Sequence, residues 1–314
     1  MDVMTQKHIY EVIVALIAIV IYSSFCVILR KKLIHRLLAK VCWLFVLSIG
    51  NCLIVLLLLS YMITDHVLYY PHCNETIHEQ LDEMEQMEKI EVETSIGRCA
   101  GWFYHSPKDS DLTVILYPGN MQTAGEMVLL SGTFEDNAEG LGFNLIVMDY
   151  PGYGESEGLP FEYTMKKMAL EAFDGISSRK DMESQKVVLM SYSIGTGIAN
   201  YIASQREVDG LILMAPYQNG YDLFNGFIDI FHGPIKLFMP FRMRADEFAL
   251  SVEVKPLVIA SKADEMVPFE SSLSLSKLYP LGADMKVYED LLHGELWQEN
   301  GVFIDIFSYL REVR

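Results

Sequence analysis

Two long apolar runs at the start of the chain constrain its fold most. The first covers residues 9–29, with Glu11 as its only charged residue, and the second covers residues 41–63, with none. Each run reaches the roughly 20 residues that a helix needs to cross a bilayer. The first run could instead be a signal peptide, but it ends in a basic cluster without a cleavage pattern. The sequence therefore predicts a transmembrane hairpin within residues 1–64.

The charges divide the chain and suggest an orientation. Residues 30–40, between the two runs, carry five Lys or Arg residues, and basic loops of this kind stay on the cytoplasmic side. Both termini would then lie on the other side, so the remaining domain is predicted to be extracytoplasmic, in a periplasm or a lumen. That domain has 18 basic and 40 acidic residues, a net charge near −22 against −18 for the whole chain. Such a charge excludes nucleic acid as a partner.

The rest of the chain has the pattern of a single α/β domain. Residues 65–87 are acidic and predict a linker helix, and residues 88–314 alternate apolar strands with helices. The runs at 112–117 and 143–148 are almost continuously apolar, as in strands of a parallel sheet that helices cover on both faces. Cys73 and Cys99 could form a disulfide or stay unpaired. No spacing of Cys and His residues predicts a metal site.

One strand runs into a turn that is typical of a catalytic serine. The sequence from 187 to 199 reads VVLMSYSIGTGIA, which predicts a strand, a sharp turn at Ser193 and a helix. A nucleophile on such a turn needs small residues two positions before and after it, and Ser191 and Gly195 occupy those positions. The Ile194 amide could then stabilise an oxyanion. The alternative is that Ser193 only caps a helix.

A base and an acid follow in the chain order that this turn requires. Asp264 comes just after the predicted strand PLVIA, and His293 comes after the strand MKVY. A serine hydroxyl needs a histidine base that a carboxylate orients, so these side chains are the candidate partners of Ser193. Glu265 is the neighbouring alternative acid and is interpreted as a solvated loop charge. The amide of Asn120, after the strand LTVILY, is the second candidate oxyanion donor.

From about Glu88 to the C terminus, the chain resembles serine hydrolases of the α/β-hydrolase fold. Within them it looks like membrane-anchored hydrolases akin to protein depalmitoylases and to the serine-aminopeptidase-like group. The motifs that carry the resemblance are PGN at 118–120, DYPGYGESEG at 149–158, SYSIGTG at 191–197, APY at 215–217, DEMVP at 264–268 and LLHGE at 291–295.

The resemblance also implies roles for individual residues. It makes Ser193 the nucleophile, Asp264 the acid and His293 the base, with Asn120 and Ile194 as oxyanion donors. The sequence departs from the family at two positions. Pro118 stands where the family usually has His, and Ser191 stands where it usually has Gly.

The segment between two of the predicted strands suggests the substrate. Residues 216–254 are rich in aromatic and aliphatic side chains, which predicts a cap over an apolar pocket for acyl chains. We therefore expect hydrolysis of an acyl ester, a thioester or a lipid-like substrate at a membrane, without a cofactor, since no complete dinucleotide or phosphate loop occurs. An aminopeptidase-like amide hydrolase and a non-catalytic binding module are the alternatives, and the oligomeric state stays open.

Overall fold

The computed structural model describes residues 3–33, 37–227 and 231–314. The described chain forms two compact units. One contains the residues up to Tyr69 together with His232–Pro240, and the other contains Tyr70–Phe231 and Phe241–Arg314. Residues 34–36 of the predicted basic loop and residues 228–230 of the predicted cap lie outside the described residues.

The first unit is built around two long helices, α1 (Val3–Leu33) and α2 (Leu37–Leu68). Parts of both, Val3–Ile28 and Lys40–Ile63, are long and apolar enough to be candidate membrane spans. The two helices pack against each other. The Tyr22 hydroxyl of α1 donates a hydrogen bond of 2.7 Å to the Val46 carbonyl of α2. A short 3-10 helix, Gly233–Phe238, also lies against α2, so part of the predicted cap belongs to this unit.

The second unit contains one sheet, in which eight strands are described. The strands are β1 (Met87–Thr94), β2 (Gly97–Tyr104), β3 (Leu112–Tyr117), β4 (Asn144–Met148), β5 (Lys186–Tyr192), β6 (Gly210–Met214), β7 (Leu257–Ser261) and β8 (Asp284–Tyr288). Their order across the sheet is β1-β2-β4-β3-β5-β6-β7-β8. The β1–β2 and β2–β4 pairs are antiparallel and all other pairs are parallel, so the predicted, mostly parallel sheet is confirmed.

The helices described in this unit are α3 (Glu75–Asp82), α4 (Ala124–Val128), α5 (Leu130–Asn137), α6 (Glu162–Ser177), α7 (Gly195–Ala203), α8 (Gly220–Phe227), α9 (Ala245–Ala249), α10 (Phe269–Ser276) and α11 (Asn300–Val313). Several of them, including α4, α6, α7 and α11, pack against the strands of the sheet. Every residue of β3, β6 and β7 is buried. Because successive side chains of a strand point to opposite faces, these strands are covered on both sides. This burial is why their sequences are continuously apolar.

The segment before the sheet differs from the prediction. The acidic helix α3 spans only Glu75–Asp82, whereas residues 65–87 were expected to form a linker helix. The compact unit begins at Tyr70 rather than near Glu88. The reason is that one face of α3 is apolar enough to pack: Leu81 is fully buried, His78 is nearly so, and the helix contacts α4 and β1. Its acidic residues therefore mark the exposed face of a packed helix.

Cys73 and Cys99 are both free thiols. Cys99 is buried on β2, and its thiol lies 3.5 Å from the Asp149 carbonyl oxygen as a hydrogen-bond donor. Burial raises the pKa of Cys99 to about 12. Cys73 is exposed, so the unpaired alternative describes both residues.

Candidate active site

The turn between β5 and α7 holds Ser193 in an uncommon backbone conformation. β5 ends at Tyr192, α7 begins at Gly195, and Ser193 between them has a φ of +53°. A non-glycine residue rarely adopts this left-handed region, and such strain concentrates at functional sites. The Ser193 amide donates to the Met214 carbonyl of the neighbouring strand at 3.0 Å. The surrounding sheet therefore fixes the turn that presents the hydroxyl.

The small residues on either side of Ser193 are required for different reasons. A Cβ added to Gly195 would overlap the carbonyl oxygens of Tyr117 and Pro118, so the turn packs directly against the loop after β3. Ser191 is fully buried, and its hydroxyl donates to the Ile212 carbonyl at 3.2 Å. Position 191, two residues before Ser193, thus accommodates a serine because its hydroxyl has an acceptor. At Gly195 there is no room for any side chain.

The three predicted side chains of the candidate triad meet at the carboxyl edge of the sheet. The Nε2 atom of His293 lies 3.0 Å from the Ser193 hydroxyl oxygen. Its Nδ1 atom lies 2.8 Å from Oδ2 of Asp264. The His293 and Asp264 side chains are only 11% and 2% exposed. The imidazole is therefore held between hydroxyl and carboxylate, largely shielded from water.

The loop around Asp264 fixes the orientation of its carboxylate. The Oδ1 atom accepts hydrogen bonds from the Met266 and Val267 amides at 2.9 and 2.8 Å. Oδ2 is left to face His293. Because Oδ2 serves as the acceptor in this contact, His293 donates from Nδ1, which is the tautomer with its proton on Nδ1. Nε2 is then the nitrogen that can accept the Ser193 proton.

Two residues that sequence reasoning missed hold His293 in place. The ring of Tyr192 stacks on the imidazole with 4.8 Å between centroids, and its hydroxyl donates to the His293 carbonyl at 2.9 Å. Glu265 accepts a hydrogen bond of 3.0 Å from the His293 amide. Its interpretation as a solvated charge is therefore incomplete, because this exposed carboxylate anchors the loop that carries the base. No sequence signal marked either role, since both depend on the packing of distant loops.

The two predicted oxyanion donors lie on the loops that pack together here. Asn120 follows β3 and Ile194 follows the nucleophile position. Within the described chain, neither amide N–H donates to another residue. Both groups are therefore free to bind a ligand. Their roles remain predictions.

The glycine-rich turn after β4 lies beside this loop and encloses a buried acid. Asp149 is 4% exposed and accepts a hydrogen bond of 2.7 Å from the Ala124 amide. Burial raises the pKa of its carboxyl to about 6, although this hydrogen bond opposes the shift. Gly154 has a φ of +50°, and an added Cβ would overlap the Asp149 carboxylate. Gly154 is therefore required by close packing within the turn.

Three aromatic residues of the predicted cap whose side chains the structure describes lie in the interior. Phe224, Phe231 and Phe241 are all buried. Phe224 and Phe231 pack edge to face at 6.0 Å, and Phe241 lies 6.3 Å from the ring of Tyr217. These rings stabilise the segment itself, so the acyl pocket remains a prediction.

Comparisons with known proteins agree with this architecture. Residues 113–256 match the family model of the alpha/beta hydrolase fold. Among curated relatives, an uncharacterized protein of Mycobacterium tuberculosis is 27% identical over 201 residues, 63% of this chain and 68% of its own length. Lysophosphatidylserine lipase ABHD12 of Mus musculus is 30% identical over 214 residues, 62% of this chain and 51% of the lipase. The chain thus spans about half the length of the lipases that it matches.

Solved structures show the same fold. The esterase Pf2001 of Pyrococcus furiosus superposes with a TM-score of 0.62 at 14% identity, covering 78% of this chain and 98% of the esterase. An alpha-beta hydrolase of Vibrio vulnificus gives a TM-score of 0.63 at 17% identity, covering 80% and 90%. The chain therefore has the alpha/beta hydrolase fold, and the lipases among its curated relatives support its identification as a hydrolase.

Proposed function

We propose that this protein is a membrane-anchored serine hydrolase that cleaves carboxylic ester or thioester bonds. The observation that carries the proposal is the continuous hydrogen-bond chain from Asp264 through His293 to Ser193. Its two contacts, 2.8 and 3.0 Å, are short enough for proton transfer from hydroxyl to imidazole. A serine that only caps a helix needs neither a base nor a buried acid. That alternative therefore does not explain the hydrogen bonds that link Ser193 to His293 and His293 to Asp264.

The proposed reaction has two halves. Ser193 Oγ attacks the carbonyl carbon of the substrate while His293 takes its proton, and the Asn120 and Ile194 amides stabilise the oxyanion. The bond to the leaving alcohol or thiol then breaks, and His293 gives the proton to that group. In the second half, His293 takes a proton from water, and the oxygen of that water attacks the acyl carbon. The bond between the acyl carbon and Ser193 Oγ then breaks, His293 returns the proton to Oγ, and the carboxylic acid leaves. Asp264 keeps its charge throughout and stabilises the imidazolium.

The substrate class is proposed from the relatives and from the apolar helices. Curated relatives are named lysophosphatidylserine lipases, and structural neighbours are named esterases. The two candidate spans would hold the site close to a bilayer, whose lipids carry acyl esters. We therefore propose lipid acyl esters as the first class to test. Acyl thioesters come second and aminoacyl amides third.

An active-site probe tests the proposal directly. A fluorophosphonate should label the wild-type protein, and Ser193→Ala should abolish both labelling and ester turnover. Ser191→Ala is the matched control, because it removes a buried hydroxyl only two residues away. Equal labelling of the wild type and Ser193→Ala would refute the assignment and leave a binding module. Turnover of an acyl ester, an acyl thioester and an aminoacyl amide by the purified full chain then ranks the three chemistries.

The same probe tests the proposed location. In intact cells, a membrane-impermeant fluorophosphonate should label Ser193 if the hydrolase unit faces a periplasm, and it should reach a lumenal unit only after the internal membranes are opened. Labelling as soon as the plasma membrane alone is permeabilised, with none in intact cells, would place the unit on the cytoplasmic side and reverse the proposed orientation.

A further inference from the structure

The loop that carries the Asn120 amide, a candidate oxyanion donor, is held by four hydrogen bonds. Three consecutive peptide units, from Pro118 to Met121, make up this loop. The carbonyl of the first unit, on Pro118, accepts from the Tyr150 hydroxyl at 2.8 Å. The N–H of the same unit, on Gly119, donates to the side-chain oxygen of Gln122 at 2.7 Å. The first peptide plane is thus fixed from both sides.

The second and third units are held in a different pattern. The Gly119 carbonyl accepts from the Gln122 amide at 3.3 Å, while the N–H of that unit, on Asn120, has no partner in the described chain. The carbonyl of the third unit, on Asn120, accepts from the Tyr153 hydroxyl at 2.8 Å. The N–H of the third unit, on Met121, also has no partner in the described chain. The hydrogen bonds therefore hold the peptide units on both sides of the Asn120 N–H, which stays available for the substrate.

Tyr153 is itself fixed by a second hydrogen bond. Its hydroxyl accepts from the Tyr70 amide at 2.8 Å, and only 1% of the residue is exposed. Its ring also packs edge to face on Tyr150, with 5.9 Å between centroids. The hydroxyl cannot turn away from Asn120 without losing both partners. Through the Tyr70 amide, the segment that follows α2 thus helps to hold Tyr153, and Tyr153 holds the loop.

From this geometry we infer that Gln122 and Tyr153 are positioning residues that aim the Asn120 N–H at the oxyanion. The inference rests on the proposed function, since it assigns a task within that reaction. An oxyanion donor acts by being oriented before charge develops, so a tilt of its peptide plane lowers the rate without weakening substrate binding. Neither residue touches the substrate in this role.

Matched carbonyl and thionocarbonyl esters distinguish positioning from a structural role. In a thionoester the charge develops on sulfur, which is a weak hydrogen-bond acceptor and gains little from the Asn120 N–H. For the full chain in detergent, Tyr153→Phe and Gln122→Met should each lower kcat for the carbonyl ester by about 10- to 100-fold, with KM nearly unchanged. The thionoester rate should fall by less than about threefold, so the ratio of the two rates drops.

Tyr309→Phe is the matched control. The Tyr309 hydroxyl also bridges two backbone groups, accepting from the Leu211 amide at 3.1 Å and donating to the Lys255 carbonyl at 2.9 Å, but outside the oxyanion loop. This variant should keep the wild-type ratio. Parallel losses on both esters in Tyr153→Phe and Gln122→Met, or no loss on either, would overturn the inference. Failure of the proposed function is separately visible, because Ser193→Ala would then retain ester turnover.

Discussion

Replacing Asp264 by Asn tests how the candidate triad depends on charge. The Oδ1 atom accepts from two backbone amides and Oδ2 faces His293. An asparagine at this position has one acceptor oxygen, and the two amide donors require that oxygen on their side. Its NH2 group must then donate to Nδ1 of His293. The imidazole proton moves to Nε2, the nitrogen beside Ser193, which therefore loses its ability to act as a base.

The size of the effect follows from this switch of tautomer. A wrong tautomer in an otherwise intact serine triad lowers kcat by about 10⁴-fold, which corresponds to roughly 5 kcal/mol of transition-state stabilisation. We expect a loss of about 10³- to 10⁴-fold in kcat for Asp264→Asn, with KM changed little. The assay is hydrolysis of a chromogenic acyl ester at pH 8, together with the rate of fluorophosphonate labelling.

The neighbouring acid supplies the control for the charge itself. Glu265→Gln removes one negative charge at the next residue but keeps an oxygen that can accept from the His293 amide. It should cost less than about fivefold, because a single exposed hydrogen bond is worth about 1 kcal/mol or less, and 1 kcal/mol corresponds to about fivefold in rate. If Asp264→Asn kept activity within tenfold of the wild type, or if both variants lost activity equally, the assigned tautomer and the assigned acid would be wrong.

Two further predictions concern residues in the turns that pack around the candidate active site. The buried carboxyl of Asp149 has a pKa of about 6 when folded and about 3.9 when unfolded, so its contribution to stability is present below pH 4 and is lost as pH rises to 6. Chemical denaturation should show that the stability of the wild type relative to Asp149→Asn falls by up to about 3 kcal/mol across this range; a difference that does not change with pH would refute it. Gly195→Ala should destabilise the fold by about 2 kcal/mol or more and reduce labelling of Ser193, because the new methyl group has no space. Gly132→Ala meets nothing within 4 Å and should be neutral or slightly stabilising; equal effects of the two glycine variants would contradict the close approach.

Sequence patterns were sufficient to predict an element of the fold wherever the physical requirement on that element is local. The continuous apolarity of β3 and β6 follows from burial on both faces, so the strands could be predicted from composition alone. The turn at Ser193 was predictable because a strand that runs directly into a helix leaves room only for small neighbours, as Gly195 confirms. The prediction of a linker helix over residues 65–87 was wrong in extent and in role. The two buried residues of α3 are a weaker signal in the sequence than its many exposed charges.

The amino-acid sequence by itself determined the α/β alternation, the two apolar helices and the candidate residues Ser193, Asp264 and His293. Only the tertiary structure decided which groups hold them. Glu265 on the His293 amide and Tyr153 on the Asn120 carbonyl join loops that lie 28 and 33 residues apart in the chain. Such contacts leave no periodicity or spacing in the sequence, because they exist only once the parallel strands bring their carboxyl ends to one edge of the sheet.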